Sequence, residues 1–384
     1  MINKSKTDVA KVIIIQRIFS EYRKSVLNKL NSHIDFILLH SENKSGINQA
    51  SAPYSKKIWN FQYSRNKTNL FLNVFPYILK NRPKIIIHEF SIGILTLIPT
   101  YFLSRLLKLK FILWGHGYDR SKGFYPEKSF NDKLRLFLLK KADAVIFYGQ
   151  EAKLLFSEYM KCDKLFIAYN CLNTNGLTAI RDKLEKEGRE NIKKRIGFTD
   201  KYNLIFIARL LKIKQPQILI DIYEYLINIY GNIICVHFVG DGDYLNQLKE
   251  IVRYKGLENN IKFYGAIHDD IKNSELLYCS DLMVMPGPVG LSVNHAFNFD
   301  CPVVTYQQKG HGPEIEYLIN EKTGFIVEKH SAEAMSIIIS KYLDSKDIQS
   351  QMKLNIRYMI ETTCSINNFL KGFDDAIKFV LREN

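Results

Sequence analysis

Two cations, Arg209 and Lys214, follow directly on an apolar, β-branched run, Asn203–Ile207. At the end of a strand such a pair can grip a diphosphate, arginine as a planar fork and lysine as a point charge. A basic chain also produces such pairs by chance. Farther on, Gly240-Asp241-Gly242 and Tyr264-Gly265 each end another apolar run. Glycines there permit a tight turn and close approach of a ligand to backbone, or simply a plain strand-to-helix turn. The richest stretch is Met285 to Ala296, in which Gly290-Leu291-Ser292 opens a short helix that precedes Pro302-Val303-Val304. Free N–H groups and the dipole at a helix start make an anion site suited to a pyrophosphate. Gly310-His311-Gly312-Pro313-Glu314 and Thr323–Val327 follow. In the first half, Gly115-His116-Gly117 sets a histidine between two glycines, and His88-Glu89 ends another apolar run. Asp241-Gly242-Asp243 matches a metal-binding D-x-D by letters alone, since it belongs to the glycine turn, and no metal site is expected.

Parallel strands must carry these residues. Val12–Ile15, Ile34–Leu39, Lys84–His88, Lys110–Trp114, Ala144–Phe147 and Leu165–Ala168 are short apolar runs in the first half. Asn203–Ile207, Ile233–Val239, Ile261–Tyr264, Leu282–Met285, Pro302–Thr305 and Phe325–Val327 are their counterparts in the second. Most lack polar alternation, so both faces should be buried between helices. Amphipathic stretches such as Arg23–Asn31, Lys133–Lys140, Pro216–Tyr230, Tyr244–Tyr254 and Ala332–Leu343 separate them. The alternation predicts an α/β chain with doubly wound sheets. It lapses once, from Cys171 to Gly197, where a charged helical stretch over Arg181–Arg195 marks a domain boundary. Ile348–Leu381 reads as two closing helices.

Composition narrows the partners. With 384 residues, 46% hydrophobic and 24% charged, the chain is globular and long enough for two domains. Lys+Arg 54 against Asp+Glu 39 gives 54 − 39 = +15, which favours anionic partners. The six cysteines form no C-x-x-C and read as isolated thiols of a reducing compartment. Met1–Lys11 is polar and has no signal-peptide core, and the apolar stretch Phe90–Leu107 is interrupted by Pro99 and Arg105. The expected setting is cytoplasmic, peripheral at the inner face of a membrane where lipid is bound. Between Tyr101 and Lys141, ten basic residues face three acids, with Phe124, Tyr125, Phe130 and Phe137 interleaved. This is either a solvated face or a surface for an anionic membrane. No nucleic-acid module appears, so nucleic acid is not an expected partner.

In order, R-L-x-x-x-K, G-D-G, F-x-G, G-L before a helix and P-V-V, then G-P-E-I and G-F-I-V resemble the nucleotide-sugar-binding domain of the family 4 glycosyltransferases. The resemblance spans Leu204 to Val327. It implies the GT-B architecture, with two Rossmann-like domains facing across a cleft and a C-terminal helix returning to the first. On this chain the domains would be residues 1–175 on the acceptor side, 176–365 for the nucleotide sugar, and 366–384 as the returning helix. The implied catalytic residues are His116, Arg209 and Lys214. Donor contacts fall on Gly240, Tyr264, Gly265, Gly290, Leu291, Ser292, His295 and Glu314. Acceptor contacts fall on Arg17 and Glu89, the latter also a candidate base. The family's two glutamates, eight positions apart, correspond here to Gly287 and His295. Kept neutral by the helix start, His295 would hydrogen-bond ribose or else be a packed core histidine. Glu314 would touch the donor sugar or cap a helix, and His116 would approach the sugar or serve structure.

The expected activity is a hexosyltransferase reaction, with retention and without metal or other cofactor. It moves sugar from a nucleotide diphosphate sugar to a glycan or lipid-linked glycan acceptor in surface polysaccharide synthesis. Two other readings stay open: a nucleotide-sugar epimerase of the same architecture, and a non-catalytic nucleotide-binding partner subunit.

Overall fold

A computed structural model describes residues 12–41, 48–62, 70–198 and 201–382. The polar stretch 1–11 lies outside them. The chain forms two compact units: Met1–Leu172 with Ile366–Asn384, and Asn173–Ser365.

The first unit is built on strands β1 (Val12–Gln16), β2 (Phe36–His40), β3 (Ser55–Lys57), β6 (Ile85–Glu89), β7 (Lys110–Gly115), β8 (Ala144–Phe147) and β9 (Leu165–Ile167), with a small antiparallel pair, β4 (Asn60–Gln62) and β5 (Leu70–Leu72). The seven-stranded sheet runs β3-β2-β1-β6-β7-β8-β9, parallel throughout. The second unit contains β10 (Tyr202–Ile207), β11 (Ile234–Val239), β12 (Ile261–Phe263), β13 (Leu282–Val284), β14 (Val303–Tyr306) and β15 (Gly324–Val327). Their order is β12-β11-β10-β13-β14-β15, again parallel. β-Branched side chains suit such strands because they pack on a pleated surface buried on both sides. Alternate residues of β1 show this: Val12 and Ile14 enter one apolar cluster, Ile13 and Ile15 the other.

All twelve strands read from the sequence are present, each within two residues at its ends. Ile34, expected to open β2, instead caps the helix Glu21–His33 through its N–H to the Leu30 carbonyl at 2.9 Å. The three-residue strands β3, β4 and β5 were not expected, being too short to show a period. The charged stretch is two helices, Thr174–Glu187 and Arg189–Ile196, broken at Gly188. Among the described residues no helix is long and apolar enough to cross a membrane.

The last helix, Ile366–Arg382, belongs to the first unit. Its buried face carries Phe369, Phe373, Ala376 and Val380 into the cluster beneath β1, β6 and β7. Phe373 meets Trp114 edge to face at 4.8 Å. Removing a buried aromatic leaves a cavity as well as losing transfer energy, so Phe373→Ala should cost the first unit about 3–5 kcal/mol. Both tryptophans, Trp59 and Trp114, lie in this unit. Urea unfolding followed by tryptophan fluorescence therefore measures it directly, and a loss below about 1 kcal/mol would show that the helix adds little to the core.

Candidate functional site

In the second unit the sheet order reverses between β10 and β13, the first and fourth strands of that unit. Ligands of doubly wound sheets bind beyond the carboxyl ends of the strands at this switch point. β10 runs out into Arg209 and the short 3-10 turn Lys212–Lys214; β13 runs out into Met285 to Gly290. Arg209 is exposed, and its guanidinium has no hydrogen-bond or ion-pair partner among the described residues. Lys214 folds inward. Its Nζ donates to the Pro288 carbonyl, while its own carbonyl accepts the Gly287 N–H at 3.1 Å. Burial pushes the Lys214 pKa down; Glu314 opposes the shift and Arg209 adds to it.

Backbone packing holds these loops. A Cβ on Gly240, whose φ is +144°, would fall 1.9 Å from the Ala208 carbonyl oxygen. Only glycine lets the G-D-G turn press on the loop bearing Arg209, where the Leu210 N–H meets the Asp241 carbonyl at 2.9 Å. The Gly240 N–H in turn donates to Gly265 at 2.8 Å. On the other side, His311 joins the two glycine-bearing segments. The Val289 N–H donates to its Nδ1 at 3.0 Å, so its proton sits on Nε2, which meets the Tyr306 carbonyl at 3.0 Å. The sequence showed His311 only as one letter in a glycine cluster; its role depends on a partner on the preceding segment. Beyond it, the N–H groups of Gly290, Leu291 and Ser292 have no acceptor among the described residues. Leu291 is the N-cap of the helix Ser292–Asn298.

The remaining donor candidates divide. The Tyr264 hydroxyl meets Nδ1 of His237 at 3.0 Å, and His237 Nε2 donates to Asn203 at 3.0 Å. The tyrosine ring is thus fixed by its own tip and remains 37% exposed. Burial and Lys262 push His237 down to about 3, so this chain is neutral. His295 packs edge to face on Phe299 at 5.7 Å, and its Nε2 is buried without a hydrogen-bond partner. Its pKa falls to about 4, through burial and not through the helix start. Glu314 is buried, second residue of the 3-10 turn Pro313–Tyr317. The N-cap there is Gly312, with no side-chain cap, so Glu314 does not cap it. Its carboxylate lies over Gly312, where an added Cβ would come 2.2 Å from Oε2.

In the first unit the order reverses between β1 and β6, and the two acceptor candidates sit at that point. They hold each other: the Arg17 N–H and Nε donate to the two oxygens of Glu89 at 2.7 and 2.6 Å. With both oxygens engaged, Glu89 fixes the loop after β1. His116, at the end of β7, is exposed and lies 4.8 Å from the Tyr148 ring. The surrounding protein, then Arg120 and Arg23, push its pKa down to about 4. Arg17, Glu89 and His116 share this end of the first sheet; the other candidates belong to the second unit.

Residues 188–359, nearly the whole second unit, match the family model for glycosyl transferases group 1. The chain carries a glycosyl transferases group 1 domain. Two uncharacterized glycosyltransferases of Methanocaldococcus jannaschii are similar to it in sequence. One is 25% identical over 61% of this chain and 58% of its own length. The other is 26% identical over 70% and 68%. The first match thus spans well under two thirds of that relative. Among solved structures, a glycosyltransferase from Rickettsia africae ESF-5 is similar over 98% of this chain and all of its own, with TM-score 0.73 and 15% identity. Anabaena HepE, solved in complex with UDP, is similar over 96% and 100%, with TM-score 0.71 and 15% identity. The architecture is therefore of the GT-B type.

The glycosyl transferases group 1 domain departs from the resemblance at Gly287, and the packing explains how. A Cβ there would lie 2.4 Å from the Lys214 carbonyl carbon and 2.5 Å from its Cα. No side chain fits unless the Lys214 loop moves away. Gly287→Ala should therefore cost the domain about 1–3 kcal/mol by overpacking, and Gly287→Glu at least as much. Differential scanning calorimetry measures this, and an unchanged melting temperature in both variants would show that the two loops are free to separate.

Proposed function

We propose that the chain is a metal-independent glycosyltransferase that takes its sugar from a nucleotide diphosphate sugar. The observation that carries this reading is the convergence of Arg209, Lys214 and the free N–H groups of Gly290–Ser292 at one switch point. Similarity to HepE, a protein that binds UDP, supports a nucleotide as the ligand. In the reaction, the bond from the anomeric carbon to the diphosphate breaks, and the diphosphate leaves with the electron pair. The acceptor hydroxyl bonds to that carbon and gives its proton to an oxygen of the departing diphosphate. Charge grows on the leaving group, and Arg209 and Lys214 are fixed cations that offset it, which is the ground for reading the step as metal-independent. Retention at the anomeric carbon is the course the family resemblance implies.

The unpartnered Nε2 of His295 matches a ribose hydroxyl, since an orphaned buried nitrogen costs about 1–3 kcal/mol until something pairs with it. Tyr264 and Gly265 suit the nucleobase, and Glu314, beside Lys214, the sugar. The neutral imidazole of His116 offers a hydrogen bond to a sugar hydroxyl. The first unit takes the acceptor, read as a glycan or lipid-linked glycan of surface polysaccharide synthesis.

Arg209 is exposed and its guanidinium has no hydrogen-bond or ion-pair partner among the described residues, so Arg209→Ala tests chemistry with little effect on the fold. Nucleoside diphosphate release from a panel of nucleotide sugars should fall more than about 100-fold, with donor affinity falling less. Lys214→Ala should lose turnover similarly and also melt lower, because it frees Pro288. Wild-type turnover in Arg209→Ala would sink the diphosphate assignment. Acceptor-independent turnover to an isomerised sugar would support the epimerase, and binding without turnover the partner subunit.

A membrane surface is the proposed setting, and the helix Phe130–Lys141 supports it. Phe130, Lys133, Phe137, Lys140 and Lys141 recur at helical spacing and are all exposed, Phe130 by 78%. The wider basic stretch is less free than its charge count suggests. Asp143 and Glu151, just outside it, pair with Arg105 and Arg120 at 2.5 Å, and Asp132 pairs with Arg135. Replacing Lys133, Lys140 and Lys141 by serine should weaken sedimentation with anionic vesicles, each lysine giving about 1 kcal/mol near the surface. Binding should also fall with salt. Equal binding to neutral and anionic vesicles would support the solvated-face reading instead.

A further inference from the structure

Arg23 occupies the first turn of the helix Glu21–His33, where the helix dipole disfavours a cation. The loop from β1 delivers it to the switch point of the first unit. One guanidinium nitrogen donates to Asn170 Oδ1 at 3.1 Å. Its carbon lies 5.3 Å from the Trp114 ring, 5.2 Å from Tyr148 and 5.9 Å from Tyr22. No carboxylate pairs with it among the described residues. The neighbouring arginines differ: Arg17 is paired with Glu89 and Arg120 with Glu151. A guanidinium stays protonated at any working pH. The Trp114 face, the Tyr22 and Tyr148 side chains, which also act on the guanidinium by hydrogen bonding, and an amide oxygen thus hold a permanent charge with no carboxylate paired to it, beside the exposed His116.

Aromatic cages fix a guanidinium in place at little entropic cost and keep its edge available for a planar or tetrahedral anion. Arg23 is half-buried, and its neighbours Tyr22, 50% exposed, and Arg17, with its side chain 45% exposed, lie at the surface. We propose that Arg23, flanked by Arg17, Arg120 and His116, recognises an anionic group on the acceptor, either a phosphate or a sugar carboxylate. This rests on the reading that the first unit takes the acceptor. It restricts the acceptor to a charged glycan and makes Arg23 a specificity-determining residue.

The test uses the full chain saturated with UDP, so that the proposed diphosphate site in the second unit is filled. Trp114 lies under Arg23, and both tryptophans belong to the first unit, so tryptophan fluorescence reports this site and not the other. Glycerol phosphate and glucuronate are titrated against glycerol and glucose. One anion should give a saturable change absent with its neutral counterpart, and which anion does so distinguishes phosphate from carboxylate. Arg23→Gln should weaken it at least about tenfold, with Arg23→Lys in between and UDP affinity unchanged. Anions no better than neutral controls, or unchanged affinity in Arg23→Gln, would overturn the proposal. If Arg23→Gln does not fold, the wild-type titrations decide alone. UDP binding, followed by calorimetry on the same protein, is a separate outcome: its failure sinks the donor reading, and the titrations are then made without UDP.

Discussion

Lys214 meets the Gly287–Pro288 segment twice, once through its carbonyl and once through its ammonium group. These two bonds join the loop after β10 to the loop after β13, strands adjacent in the sheet but separated by some seventy residues of chain. With the loops joined, the cation is tied to the segment that leads into Gly290–Ser292, whose N–H groups have no acceptor among the described residues. The clasp requires that position 287 have no Cβ, because the lysine backbone fills that space. On the opposite side, the same absence of a side chain at Gly240 lets a third loop press on the segment that presents Arg209. The donor-side site is therefore largely a stack of backbone segments, and its side chains act from positions that the stack determines.

Electrostatics follow from that packing. Buried histidines cannot carry charge cheaply, and His88, His237 and His295 are all pushed down by burial, to about 4, 3 and 4. Positive charge at both switch points is left to arginine, which stays protonated when buried, and to lysine, which does so less readily. Lys214 feels this limit, since burial lowers its pKa and nearby Arg209 lowers it further. Glu314 works against both, so the carboxylate helps keep the ammonium group protonated. In the first unit Glu89 pairs with Arg17, whereas no carboxylate among the described residues pairs with Arg23.

The apolar runs made the strands legible because burial on both faces demands unbroken β-branched sequence. Their order in each sheet also put the right loops together, since a doubly wound sheet has only one reversal. What the sequence could not show was which side chains share a partner. The pairing of Arg17 with Glu89 depends on the parallel register of β1 and β6, where residues far apart in the chain come level. Arg23 was visible only as the first residue of an amphipathic stretch, because its cage comes from β7, the turn after β8 and the segment after β9. His311 was hidden for the same reason. Gly287 did carry a readable signal, as a glycine where the resemblance expects an acid. Its cause, a neighbouring backbone, became visible only in three dimensions.

Sites built on backbone tolerate change in the side chains around them. Backbone N–H groups are present whatever residue occupies the position, so a phosphate cradle survives as long as the loop geometry does. That fits a chain whose fold matches known glycosyltransferase structures at 15% identity. It also fits the two departures at Gly287 and His295. At the first, the missing side chain admits the lysine loop, and at the second a neutral, half-buried ring stands where the resemblance expects an acid. With no carboxylate side chain at positions 287 and 295, Glu314 is the acid that acts on Lys214, and it opposes the effect of burial there.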